Sequence, residues 1–354
     1  MKRFLTFIGV FLIGILSLSG LANIAHSVEY PLPPVSSRLI GERSIYIVPD
    51  DGLSLESIAA KYQIGLLAML EANPGVDPYL PKAGTELVIP SQMLLPDTPR
   101  QGIIINLAEL RLYYFPTGAN HVIVYPIGIG QLGRDTPTMT TSVSQLIKNP
   151  TWTPTANIRK DYASRGIILP AVMPAGPENP MGDFALRLAA GRGEYLIHGT
   201  NANFGIGMRV SSGCIRLRPD DIEALFRSVP RGTRVQIINE PVKYAVEPDG
   251  KRYIEVHQPL SKKETDDPQS MPIQRSEGLM KFIDNRQTDE ALIEQAIIHR
   301  SGIPELVNKD QVSSKLKELD ISKPVENREA IYPEIKLVKF SPLHQPKPVY
   351  QTEN

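Results

Sequence analysis

Hydrophobic positions along the chain fall into distinct regimes, beginning with a continuous apolar run over residues 4–22 behind Lys2 and Arg3. Small residues follow, and Ala25-His26-Ser27 suits cleavage before Val28. Residues 1–27 therefore read as a signal peptide, with an uncleaved anchor as the alternative because the run approaches the ~18–20 residues that span a bilayer. Both readings put the remainder outside the cytoplasm.

Over residues 43–91 the pattern is that of a small module between proline-rich borders. Ile45-Tyr46-Ile47-Val48 has the β-branched and aromatic makeup of a strand, which Asp50-Asp51-Gly52 ends with turn chemistry. Ser54 can cap a helix whose Leu55, Ile58, Ala59 and Tyr62 share one face. A second helix over 66–71 stops at Asn73-Pro74-Gly75, and 86–90 reads as a closing strand, giving the order βααβ.

From 100 to 240 the signals are mostly those of strands. Residues 103–107, 110–115 and 121–127 form an antiparallel meander, and further strands fall at 184–188, 195–197 and 234–238. One helix, 220–228, has Pro219 at its start, acidic residues in its first turn and Gly232 beyond it. The fold class is mainly β with one or two short helices. Beyond Pro241 a strand over 253–257 and a helix over 289–300, capped by Thr288 with Leu292, Ile293, Ala296 and Ile297 inward, suggest that 241–310 packs on the β domain. Residues 311–354 mix Lys, Glu, Ser and Pro with few aromatics and read as a mobile tail.

Composition narrows the function. In 354 residues, 38 Lys plus Arg balance 38 Asp plus Glu, so no net field selects nucleic acid. Cys214 is the only cysteine, which excludes an intramolecular disulfide and any thiolate-rich metal centre. His121 and His257 have no ligand spacing with His198, so no metal and no organic cofactor is expected. An exported protein with one unpaired thiol carries an oxidation liability that asks for a reason.

That reason is found in 195–217. His198 ends a strand, and sixteen positions later Cys214 follows Gly213. A thiol attacks carbonyls as its thiolate, and a nearby imidazole can take its proton, so this pair suffices chemically for a cysteine nucleophile. The amides around Ser212, Gly213 and Cys214 can form an oxyanion hole. Spacing alone does not separate hydrolysis from acyl transfer. Trp152 lies in a proline-flanked loop that either covers the cleft and stacks on substrate or packs into a core.

Two resemblances add to these readings. Tyr46-x-Val48, Leu55-x-x-Ile58-Ala59-x-x-Tyr62, Asn73-Pro74-Gly75 and Gly84-Thr85-x-Leu87-x-Ile89-Pro90 resemble the lysin motif, which implies binding of peptidoglycan glycan. His198-Gly199-Thr200 through Ser211-x-Gly213-Cys214-Ile215-Arg216-Leu217, with the upstream Gly128-Ile129-Gly130 and Thr136-Pro137, resembles the signature of exported bacterial L,D-transpeptidases over residues 100–240. The resemblance implies a β-sandwich catalytic domain, a periplasmic location, and a two-step reaction on peptidoglycan stem peptides. Cys214 attacks the diaminopimelate carbonyl of a tetrapeptide, D-alanine leaves, and an amine resolves the thioester. The acceptor is another diaminopimelate or a lysine of an outer-membrane lipoprotein. By the same resemblance His198 is the general base, the Gly199 carbonyl orients its ring, and Arg216 meets a substrate carboxylate or forms a structural salt bridge. Many members have histidine where this chain has Ser212, so His198 carries the base role alone. A thiol L,D-carboxypeptidase and a non-catalytic cell-wall-binding protein remain as alternatives.

Overall fold

A computed structural model describes residues 28–309 apart from Asn203. The signal peptide and the tail expected at the two ends lie outside the described residues.

The centre is a nine-stranded mixed sheet. Its strands run, in spatial order, Val28–Pro31, His121–Pro126, Arg111–Phe115, Gly102–Asn106, Arg234–Ile238, Met139–Lys148, Phe184–Leu188, Leu196–His198 and Ile215–Arg216. Arg234–Ile238 lies parallel to Gly102–Asn106, and Leu196–His198 parallel to Ile215–Arg216; the other neighbours are antiparallel. The meander is buried on both faces, which explains its unbroken apolar runs. Ile103, Ile105, Leu112 and Tyr114 join the larger core, while Ile104, Tyr113 and Phe115 face a second core with Tyr30, Met93 and Val122. Helix Pro219–Ser228 buries Ile222 and Leu225 against the larger core.

In the N-terminal module, strands Ser44–Ile47 and Glu86–Ile89 pair antiparallel around helices Leu55–Lys61 and Leu66–Ala72. The Ser54 hydroxyl accepts from the Ser57 amide, and Leu55, Ile58 and Ala59 are buried as their spacing requires. The Asn73 side chain closes the module by bonding the Val88 amide and carbonyl and the Met69 carbonyl.

C-terminal strands Val242–Val246, Arg252–Val256 and Glu305–Leu306 form an antiparallel sheet covered by helices Glu277–Ile283 and Glu290–His299. The last helix differs from expectation at its cap. Asp289, not Thr288, accepts from the Ala291 and Leu292 amides, because the Thr288 hydroxyl is already committed to the Phe282 carbonyl and the Arg252 guanidinium. Ile293 and Ala296 are buried, whereas Leu292 and Ile297 only flank the core.

A buried ionic network joins the three regions. Lys243 Nζ lies 2.8 Å from Glu109 and 2.9 Å from Glu255, and Arg111 bonds both carboxylates. His257 bridges Glu255 at 2.8 Å and Glu71 of the N-terminal module at 2.9 Å. Three carboxylates face three cationic groups, so the cluster balances only when His257 is protonated. Burial alone would lower the His257 pKa, but the two carboxylates hold it at about 9.

Candidate active site

The parallel strand pair places His198 beside Arg216, two residues beyond Cys214, and the Leu217 amide bonds the His198 carbonyl at 2.9 Å. His198 is buried, with Nδ1 2.6 Å from the Gly199 carbonyl oxygen. A carbonyl only accepts, so Nδ1 carries the hydrogen and Nε2 is the ring's basic atom. Burial, aided by the Arg216 charge, pulls the His198 pKa down to about 4. The imidazole is neutral at physiological pH and able to take a proton.

Cys214 is half-buried, and burial raises its thiol pKa; the Leu196 amide and the Arg216 guanidinium oppose the shift. Its thiol points to the Glu194 carbonyl oxygen at 3.4 Å. No hydrogen bond joins thiol and imidazole among the described residues, and burial favours the neutral form of both groups.

The turn that carries Cys214 is stapled from below. Ser211 Oγ accepts from the Gly213 amide at 3.2 Å and donates to the Cys214 carbonyl. Thr136 Oγ1 donates to the Gly213 carbonyl and accepts from the Gly130 amide, both at 3.0 Å. Gly213 has φ +103°, a conformation that favours glycine. Because Ser211 engages the Gly213 amide, the oxyanion donors left in this turn are the amides of Ser212 and Cys214, which make no hydrogen bond within the described residues. Ser212 itself is exposed, and its hydroxyl accepts from Arg134 at 3.2 Å. Arg134 also pairs with Asp161 on helix Ala156–Ala163, in the segment between strands Met139–Lys148 and Phe184–Leu188, a helix that the sequence pattern does not mark.

Trp152 is half-buried in that segment and bridges Met173 through the backbone. No hydrogen bond or ring contact brings it to Cys214 or His198 among the described residues. The Arg216 Nε is buried without a partner, and no ion pair within the described residues uses its guanidinium. Glu109, Glu255 and His257 converge as a metal site would, but the Lys243 ammonium occupies the position between the carboxylates. Sequence reasoning missed Thr136 as a staple and Glu194 as the thiol's partner; the Gly128–Pro137 glycine and threonine pattern was the available signal for the first.

The chain matches an L,D-transpeptidase catalytic domain over residues 100–237, an L,D-transpeptidase C-terminal domain over 241–307 and a LysM domain over 46–90. Probable L,D-transpeptidase YcfS of Escherichia coli is 58% identical over 314 residues, covering 88% of this chain and 97% of that protein. The chain belongs to the L,D-transpeptidase family. Probable L,D-transpeptidase YbiS of Escherichia coli is 53% identical over 82% of this chain and 95% of its own length. Among solved structures, an L,D-transpeptidase from Mycobacterium tuberculosis is similar at 18% identity and a TM-score of 0.28, over 44% of this chain and 63% of that one. The catalytic domain of the Enterococcus faecium L,D-transpeptidase is similar at 19% identity and a TM-score of 0.30, over 40% of this chain and 99% of that one. The family is enzymatic, and the same assignment covers the C-terminal region that the sequence alone left without a task.

Proposed function

We propose that this L,D-transpeptidase acts outside the inner membrane, in the periplasm, on peptidoglycan tetrapeptide stems, with Cys214 as nucleophile and His198 as general base. The observation that supports this most is the Nδ1 contact with the Gly199 carbonyl, which leaves Nε2 as the basic atom of a neutral ring. The thiol leaves the Glu194 carbonyl, passes its proton to His198 Nε2 and bonds to the carbonyl carbon at the L-centre of diaminopimelate. The Ser212 and Cys214 amides stabilise the tetrahedral oxyanion. Collapse of the intermediate breaks the bond to D-alanine, whose nitrogen takes the proton from the imidazolium, and a thioester remains. An acceptor amine then attacks the thioester, His198 takes its proton, and the thiol is restored. Arg216 offers a guanidinium edge to a stem-peptide carboxylate, and Trp152 offers a stacking surface for substrate. The LysM module retains the enzyme on the wall. No step requires a metal or organic cofactor.

The acceptor is a diaminopimelate side chain or a lipoprotein lysine. Incubating disaccharide-tetrapeptide with and without a peptide ending in the lysine of such a lipoprotein decides between them. A lysine-linked tripeptide supports anchoring, a diaminopimelate-linked dimer supports cross-linking, and free tripeptide in both mixtures makes the chain a carboxypeptidase.

A further inference from the structure

The segment that carries Cys214 is gripped at both ends by one turn of the LysM module. Seven residues before the cysteine, Gly207 sits so close to Gly65 that a Cβ on Gly207 would lie 2.3 Å from the Gly65 Cα. The Leu67 amide donates to the Gly207 carbonyl at 3.1 Å, and the Leu66 amide to the Ile206 carbonyl at 3.4 Å. Four residues after the cysteine, the buried Arg218 donates to Gln63 Oε1 at 3.1 Å and to the Ile64 carbonyl at 2.9 Å. The turn is itself specialised, with Gln63 held at φ 56° although it is not glycine.

Between these anchors the path to the thiol is short and is hydrogen-bonded at Met208, Ser211 and Gly213. The Ile129 amide bonds the Met208 carbonyl, strand Arg209–Ser211 pairs with Ile129–Gly130, and Ser211 holds the Gly213 amide and the Cys214 carbonyl. On the other side, Arg216 pairs with His198 one position before the Leu217 amide that bonds the His198 carbonyl. A glycan-binding module joined only to keep the enzyme near its substrate needs none of this. A flexible linker suffices for that task.

We propose that residues 63–67 of the LysM module are positioning residues for the reaction, clamping the Gly207–Arg218 segment so that the Cys214 thiol and the His198 ring keep their alignment. The proposal rests on Cys214 being the nucleophile. It makes the module part of the catalytic apparatus as well as a wall anchor, and it predicts a defect on small soluble substrates that carry no glycan polymer.

The test uses the full chain carrying Gly207→Ala, which drives a methyl into Gly65, and Arg218→Met or Gln63→Ala, which remove only side-chain partners of the clamp. Three properties are read: turnover of a soluble tetrapeptide, pelleting with purified sacculi, and the rate at which iodoacetamide alkylates Cys214. Because a misplacement of about 1 Å can cost on the order of 100-fold in rate, kcat is expected to fall by up to that factor in Gly207→Ala while KM and pelleting hold. Cys214 alkylation quickens as the turn loosens, and Arg218→Lys restores part of the kcat that Arg218→Met loses. Wild-type kcat and alkylation in folded Gly207→Ala and Arg218→Met overturn the proposal, as does a kcat loss that merely follows the melting temperature. If Gly207→Ala does not fold, the two side-chain variants decide by the same readings. If the wild-type chain fails to turn over the tetrapeptide, the transpeptidase reading falls; the alkylation rates then decide the clamp, faster in the variants supporting it and unchanged overturning it.

Discussion

His198 and Gly199 are neighbours in sequence, and Nδ1 of the first lies 2.6 Å from the carbonyl oxygen of the second. A backbone oxygen thus stands where a carboxylate or amide side chain stands in cysteine enzymes: it fixes the tautomer of the ring without adding a charge. The consequence is a ring that burial can keep neutral.

Replacing that ring removes the proposed general base. His198→Ala is expected to lower the acylation rate by about 10²–10⁴-fold with an unchanged circular dichroism spectrum. Single-turnover release of D-alanine measures this, and near-wild-type release would show that another group takes the thiol proton.

The site's pH behaviour follows from two shifts of known direction. The imidazole, with a pKa of about 4, is in its basic form at all higher pH, while burial keeps the thiol protonated beyond its ordinary range. Turnover should therefore fall on the acid side as pH drops through about 4. Alkylation of Cys214 by iodoacetamide should keep climbing through the alkaline range. A plateau of alkylation near pH 6 would instead reveal a thiolate–imidazolium pair at rest.

Thr136 holds the Cys214 turn with both hydrogen bonds of its hydroxyl. Thr136→Val keeps the shape and leaves the Gly213 carbonyl and the Gly130 amide unpaired, a loss of about 1–3 kcal/mol of stability by urea unfolding. Thr136→Ser should restore most of it. Equal midpoints for wild type and Thr136→Val would remove the staple from the account.

His257 ties stability to alkaline pH. Its folded pKa of about 9 lies above the unfolded value near 6.5, so the proton is held more tightly in the folded state. The stabilisation is complete below about pH 6.5 and is lost as pH rises through about 9, on the order of 3 kcal/mol in all. Melting temperatures measured from pH 6 to 10 should show this loss in the wild type and a flatter profile in His257→Gln. An identical alkaline decline in both would contradict it.

Local rules carried much of this architecture. The Leu55, Ile58 and Ala59 spacing and the Ser54 cap mark the first LysM helix, and Phe184–Leu188 and Arg234–Ile238 match the strands read at 184–188 and 234–238. Strand Met139–Lys148 was invisible for a physical reason: its register shifts between Val143 and Gln145, so the apolar alternation that marks a half-buried strand is broken. Helix Ala156–Ala163 buries none of its residues and therefore leaves no apolar stripe to find. At the site, His198 and Cys214 were legible because a lone cysteine behind a glycine, sixteen positions after a strand-end histidine, is a chemically sufficient pair. Arg218, Gln63 and Gly207 were not, since their role depends on contacts between modules that no local pattern encodes. His257 was weighed only as a metal ligand, because its carboxylate partners lie two and 186 residues away.

The most direct test of the central claim is mass spectrometry of disaccharide-tetrapeptide muropeptides incubated with residues 28–354, in parallel with a Cys214→Ala variant. Cysteine-dependent loss of D-alanine, with a new product joined through an amine to the diaminopimelate carbonyl, is the predicted result. Untouched substrate with both proteins, or equal conversion by the variant, would contradict a Cys214 transpeptidase and leave a wall-binding protein in its place.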